Sequence, residues 1–309
     1  MIVIDKNDLG TLQKSKKNLS ASDLSKANLE GVDFSFGNFI STNFKEANLK
    51  NANFTSSQLE SADFTKSILS CADFSSSKLF KTIFFKAILS EANFTDADLM
   101  GANLSGSDLS GANFGNCTLI EANLIGSNLT NAILRNAKLT GRFTREGTFS
   151  RGANLTRCIL KGADFSQADC HGADIADTNL REANLSNANL IETDLRRADL
   201  SGANLAGAKL CEANLRQSIL TGANFEGTSL LDTKITGVDL SKVINLSPEE
   251  VTLAIIDEKT KLPEYLEIIW TSEETHECKA RSWDSMLLLS VTNLNLYILH
   301  NHFFNVTLD

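Results

Sequence analysis

Ala92-Asn93-Phe94-Thr95-Asp96-Ala97-Asp98-Leu99-Met100-Gly101-Ala102-Asn103-Leu104-Ser105-Gly106 holds one five-residue unit three times over. An apolar residue stands at the centre of each unit. A small residue lies two places before it, Asn or Asp one place before it, and polar residues or Gly fill the two places after it. The centre recurs at every fifth residue from Leu19 to Leu139, giving 25 units, and again, one residue out of step, from Leu155 to Leu240, giving 18. Every centre is Leu or Phe except Cys170, Ile175 and Ile235.

A period of five matches neither the 3.6 of a helix nor the 2 of a flat strand. It needs a chain that turns a corner at each unit, with sides too short to stand alone, stacked at the β spacing. The centre and the small residue point inward and the other three positions face solvent. Asn and Asp before the centre suit the corners, because their side chains can bond nearby backbone. Phe34, Phe54, Phe74, Phe94 and Phe114 recur every 20 residues, and Phe44, Phe64 and Phe84 form a second file ten residues away. Four units therefore make one square coil with the two Phe files on opposite sides. The 43 units give about 11 four-sided coils in an all-β solenoid, a rod of roughly 50 Å.

Runs such as Ala92-Asn93-Phe94-Thr95, Ala102-Asn103-Leu104-Ser105 and Ala203-Asn204-Leu205 resemble the pentapeptide repeat family, summarised as A(D/N)LXX. The resemblance covers residues 18–242. It implies a right-handed quadrilateral β-helix, the handedness coming from the resemblance alone. It also implies a non-enzymatic scaffold for protein–protein interaction. A second role implied by the family is DNA mimicry: some members resemble duplex DNA in width and acidity, bind type II topoisomerase (gyrase) and confer quinolone resistance, many as dimers through the C-terminal end. A homodimer through that end is the corresponding expectation here.

The chain divides by composition into an N-terminal cap at 1–17, the repeats at 18–243, a C-terminal helical cap at 244–270 and a tail at 271–309. The net charge of −9 is unevenly placed: four Lys against two acids in 1–17, 21 basic against 25 acidic residues in 18–243, and four against 11 in 244–309. The solenoid is thus only mildly acidic, with Arg181, Arg196 and Arg197 interspersed, and this weighs against mimicry. Ile2, Val3 and Ile4 can pair as a short strand over the first coil, as an exposed β end requires. Ser247-Pro248-Glu249-Glu250 is a helix start with a capping box. Val251, Leu253, Ala254 and Ile255 supply the apolar face of a short helix lying across the last coil.

The break at 140–152 reads as three units plus one residue, a bulge or small extruded corner whose Phe143 and Phe149 fill the core while Thr144 takes a centre position. Its Arg142, Arg145 and Arg151 against Glu146 make it the main basic irregularity, and so the candidate interaction loop.

Catalysis is not expected, because a convex rod offers paired acids such as Asp96/Asp98 or Asp174/Asp177 no cleft to shift their pKa values. No cofactor is expected. The cysteines show no metal spacing, and His300 with His302 lacks a third ligand. Nucleic acid binding would want a basic stripe and exposed aromatics, whereas the Phe of the repeats are expected to point inward. Polar interruptions between Met286 and Phe304 argue against a membrane span. With no signal peptide and no disulfide framework, a cytoplasmic protein with an unidentified protein partner is expected.

Overall fold

The structure is a computed structural model that describes residues 18–141, 152–272 and 275–281. Parallel β-bridges join residues 20 apart on four walls, beginning with Asp23↔Asn43, Asn28↔Asn48, Asp33↔Asn53 and Asn38↔Gln58. Each wall of each coil contributes a single bridge residue, the one before the centre. The Leu24 N–H bonds forward to the Asn43 carbonyl (2.7 Å), and the Asn43 N–H bonds back to the Ser22 carbonyl (2.9 Å). The same pair repeats up the rod, with a gap where Leu220 faces Asp239, so the sides take their backbone partners from their two neighbours.

The corner is a β-turn. The Ser22 N–H donates to the Leu19 carbonyl (3.2 Å), and the second residue after the centre has positive φ, as at Ala21 (55°) and Lys26 (58°). The Asn or Asp before the centre is not in the corner, as expected from sequence, but in the middle of the wall. From there it acts in two directions. Its Oδ1 accepts the N–H of the first corner residue, as in Thr55 to Asn53 (2.9 Å), and an Asn amide donates to the coil below, as in Asn48 to Asn28 (2.9 Å). One side chain thus fixes both the turn and the stacking.

Inside, the two Phe files meet as the 20-residue register requires. Phe54, Phe74, Phe94 and Phe114 stack at 4.9–5.1 Å with planes within 5° of parallel. Phe44, Phe64 and Phe84 stack at 4.7 and 5.1 Å on the opposite wall. Across the core the files meet edge to face, for example Phe64–Phe74 at 5.8 Å and 84°. Small residues fill the remaining interior positions, and most of the Ser and Thr hydroxyls there are paired, as Ser57 to the Phe54 carbonyl (2.6 Å) and Thr42 to the Leu19 carbonyl (2.7 Å), the buried Ser218 hydroxyl being an exception. Cys117, Cys158 and Cys170 are buried among them. Burial pushes the Cys158 thiol up to about 12, and it donates to the Leu124 carbonyl (2.9 Å).

Of the two forms expected for the break the corner is the one seen, but it holds none of the three further units that the count suggested. Across it the bridges are Asn123↔Asn154, Asn128↔Ile159, Ile133↔Asp164 and Lys138↔Asp169. These residues are 31 apart instead of 20, a surplus of 11 that falls in one corner. The Ala153 N–H closes the turn on the Leu139 carbonyl (2.7 Å), and the Gly141 N–H keeps its regular bond to the next coil at His171 (3.3 Å). The chain therefore uses no repeat units between Leu139 and Leu155, and the register resumes at once. The physical reason is that a turn needs only its carbonyl and its N–H in reach, whatever length of chain joins them. Phe143, Thr144 and Phe149 lie outside the described residues. Gly152, at the re-entry, is tight: an added Cβ would stand 2.8 Å from the Gly172 carbonyl oxygen.

Removing residues 142–152 would join Leu139-Thr140-Gly141 to Ala153-Asn154-Leu155, the same order as Leu220-Thr221-Gly222-Ala223-Asn224-Phe225. The shortened protein is expected to be more stable by about 1–2 kcal/mol through the smaller loop-closure cost. A lower melting temperature would show that the segment is needed to hold the two halves together.

At the C-terminal end α1, Pro248–Thr252, begins at Ser247 with the expected capping box: the Glu250 N–H donates to Ser247 Oγ (3.3 Å) and the Ser247 N–H to Glu250 Oε2 (3.1 Å). It does not lie across the last coil. It replaces one wall of a further round, since the N–H groups of Asp232, Ile235 and Leu240 donate to the carbonyls of Leu253, Ile255 and Lys261 (2.9, 3.0 and 2.7 Å). Val251, Ala254 and Ile256 point inward, whereas Leu253 and Ile255, expected inside, are 51% and 40% exposed. The helix ends after five residues, and the extended chain that follows alternates its faces.

Strands β1 (Leu266–Trp270) and β2 (His276–Ala280) then pair antiparallel, Leu266 opposite Ala280. The hairpin is tied to the last round by the Tyr265 hydroxyl at Leu246, by the Cys278 N–H on Thr252 Oγ1 (2.9 Å) and by His276 Nε2–H on the Val251 carbonyl (3.0 Å). The sequence boundary between 270 and 271 thus falls inside one hairpin. The expected cap at 1–17 and the tail beyond Arg281 lie outside the described residues. No helix among the described residues is long and apolar enough to cross a membrane.

Candidate interaction surface

Three outward positions per unit make the whole surface, and backbone stacking holds each within one coil spacing of its equivalents. On one wall the mid-wall side chains form a ladder of amides: Asn184 donates to Asp164 (3.2 Å), Asn204 to Asn184 (3.4 Å), Asn224 to Asn204 (3.2 Å) and Asn245 to Asn224 (2.9 Å). Such a row is polar but largely uncharged, with its donors and acceptors used along the rod.

Charges are paired between coils. Arg197 reaches down to Asp177 through two bonds (2.6 and 2.7 Å), Arg181 to Asp199 (3.2 Å) and Lys45 to Asp63 (3.0 Å), while Arg196 forks onto Asp194 beside it (2.5–2.9 Å). The Arg197 hydrogen bonds hold the Asp177 carboxyl below the usual carboxylate range. Partial burial pushes the Asp194 carboxyl up, but the bonds from Arg196 outweigh it and hold that group low too. Asp239 is held down to about 2, first by the Ser241 hydroxyl and N–H and then by Lys261 (3.1 Å). These acids are engaged with cations or hydroxyls, and none has the raised pKa of a general acid.

The residues singled out from sequence fall in different places. Phe34, Phe54, Phe74, Phe94 and Phe114 are buried and make the core, so they reach no ligand. Arg142, Arg145 and Arg151 lie outside the described residues, as do His300 and His302. Asp177 of the Asp174/Asp177 pair belongs to Arg197. No group of three or more His, Cys, Asp or Glu side chains among the described residues could hold a metal ion.

One feature was missed. The Phe of the repeats do not all point inward: Phe36 is 76% exposed, and Phe80 and Phe85 stand on corners. Outward apolar residues concentrate in the coil at 78–90, where Phe80, Ile83, Phe85 and Ile88 all occupy non-centre positions. That signal was available in the sequence, since four apolar residues off the centre positions within nine residues break the polar rule of the unit.

The repeat is also found by comparison with known families. The family model for pentapeptide repeats matches in eight copies between residues 18 and 244, with one interruption at 142–150. Among solved structures, HetL from the cyanobacterium Nostoc sp. strain PCC 7120, a pentapeptide repeat protein involved in heterocyst differentiation regulation, is 29% identical over 73% of this chain and 94% of its own, with a TM-score of 0.30. Rfr23 from the cyanobacterium Cyanothece 51142 is 29% identical over 45% of this chain and 90% of its own, with a TM-score of 0.28. Full-length QnrB1, a plasmid-mediated fluoroquinolone resistance protein, is 17% identical over 79% of this chain and 90% of its own, with a TM-score of 0.30. The comparison with curated proteins gives no match. With eight copies of the repeat spanning most of its length and a four-walled coil built on them, this chain belongs to the pentapeptide repeat family.

Proposed function

We propose that the protein is a non-enzymatic scaffold, a right-handed rod of about 11 four-sided coils that presents fixed rows of side chains to a protein partner. Pentapeptide repeat proteins are generally structural or interaction proteins, which supports the reading. So does the rigidity of the walls, whose sides are bonded through their backbones to the coils above and below. Residues 244–281 serve as the C-terminal cap of the rod, and residues 1–17 as its N-terminal cap. A cytoplasmic setting is supported by six unpaired cysteines. The partner is unidentified; a homodimer through the C-terminal end is part of the proposal, and nucleic acid and membrane are not.

The second reading is a DNA mimic that binds type II topoisomerase, the role that the likeness to a quinolone resistance protein brings into view. The observation that favours the scaffold reading is the pairing of acids with arginines at Asp177, Asp194 and Asp199. A mimic of a polyanion needs those carboxylates free. In a gyrase supercoiling assay with the purified full-length protein, the scaffold reading expects unchanged supercoiling and unchanged quinolone inhibition. Inhibition of supercoiling, or protection from the drug, would replace it with mimicry.

Arg142, Arg145 and Arg151 are proposed as one contact of the scaffold. In the protein lacking residues 142–152 the fold is expected to persist, while partner recovery from lysate falls. Equal recovery would remove the loop from the binding surface.

A further inference from the structure

We propose that the outward face of the coil at residues 78–90 docks an acidic, apolar-containing segment of a partner protein. The inference deepens the scaffold reading by naming a surface and the chemistry it accepts.

Along the chain no acidic residue occurs from Phe74 to Ser90, where Lys78, Lys81 and Lys86 stand; the neighbouring coils set Asp98 beside Lys78, Asp63 beside Ile83 and Asp108 beside Ile88, and no acid on the corners above Lys81 and Lys86, where Gly101 and Gly106 stand. The stacking puts Phe80 and Lys81 on one corner, Ile83 on the adjoining wall, Phe85 and Lys86 on the next corner and Ile88 on the wall beyond. Phe85 is 36% exposed and Ile88 44%; Ile88 pairs with Ile68 of the coil below, itself 42% exposed. On that wall the apolar surface therefore extends over two coils.

The lysines here differ from the paired cations of the rod. Arg135, Arg181, Arg196, Arg197 and Lys45 each hold a carboxylate. Lys81 and Lys86 hold none among the described residues. Their ammonium groups lie over the rings of Phe80 and Phe85, each 5.0 Å from the centroid. Directly above them the next coil carries Gly101 and Gly106, where an added Cβ would come within 3.4 Å of each lysine's Cγ. The absence of side chains at those positions leaves the lysine stems uncovered on that side.

A partner that buries this band must cover two aromatic rings and two isoleucines while supplying counter-charge to cations that have none, because an unpaired buried ammonium is costly. Acidic residues interleaved with apolar ones meet both needs. The band also turns a corner between two walls. A flat bilayer would touch one wall, whereas an extended peptide can follow both, and this favours a protein segment over an anionic lipid surface.

The test is selection of a displayed random dodecapeptide library on the full-length protein. Two double variants serve as controls, Lys81→Glu with Lys86→Glu and Phe85→Ser with Ile88→Ser, all four changes being on outward side chains. Enriched peptides are expected to be rich in Asp or Glu and in apolar residues, to weaken with salt, and to lose about tenfold or more in affinity for either variant. Enriched peptides without acids would overturn the proposal, as would no enrichment. Peptides that bind both variants as well as the wild type would overturn the docking surface while leaving the scaffold reading intact. Sedimentation with phosphatidylserine vesicles that both variants lose, with no acidic peptide enriched, would assign the band to a membrane instead.

Discussion

Replacing Phe74 with Asp should destabilise the rod by on the order of 5 kcal/mol or more, because a carboxylate would take the place of a buried ring and find no partner. Phe74 is fully buried, stacked on Phe54 and Phe94 at 5.0 and 5.1 Å and met edge-on by Phe64 and Phe84. The neighbouring Ser75 faces outward, and its contribution is the backbone N–H that donates to Asp73 (2.9 Å), which any residue but proline supplies. Ser75→Ala should therefore stay within about 0.5 kcal/mol of the parent. Melting temperatures of the two variants, read with hydrogen exchange at the coils on either side, check the claim. Equal melting temperatures would mean that the inward assignment of the file is wrong.

Truncation after Val243 should have the second large effect. It removes the carbonyls of Ile244, Leu253, Ile255 and Lys261, which accept from Phe225, Asp232, Ile235 and Leu240, and it uncovers the last regular coil. A row of unpaired backbone groups above an apolar interior is a template for another chain. The truncated protein is expected to melt lower and to associate end to end, seen as concentration-dependent mass in light scattering. A monodisperse truncate of unchanged stability would show that residues 244–281 do not protect that end. A cut after Trp270 is not the neutral control that composition suggested, since it leaves β1 without β2 and removes the Cys278 and His276 bonds to α1. A cut after Arg281 is the better control.

Where the sequence has a period, it was informative. The two Phe files fixed the number of walls because ring-on-ring contact at one coil spacing demands the same residue type at the same phase. The Ser247–Glu250 box located the start of α1 because both of its hydrogen bonds are local. Legibility ended where contacts stopped being periodic or local. In the break, counting residues suggested three more units, but the closure of Ala153 on Leu139 depends on backbone reach and not on the intervening composition. At the C-terminal end Ile255 and Ile256 are indistinguishable by type, and only the return to extended chain after α1 decides that Ile256 is inside. Phe80 and Phe85 were read as core by residue type, although their phase within the unit placed them on corners. The proposed docking surface was least legible, since it is made of side chains brought together from different coils at the positions the unit constrains least.

The closure of one corner over a surplus of 11 residues has an implication for how such rods can change. Walls above and below keep their register, so an insertion at a corner is invisible to the rest of the solenoid. The other corners of the regular coils close through the same carbonyl-to-amide bond, except that at Ile175 the Thr178 hydroxyl donates in its place (2.8 Å), and each is an equivalent socket. A chain built this way can acquire or discard recognition segments one at a time, at chosen heights along its length and on a chosen edge, without renegotiating its interior. Innovation at the surface is decoupled from the core that carries it.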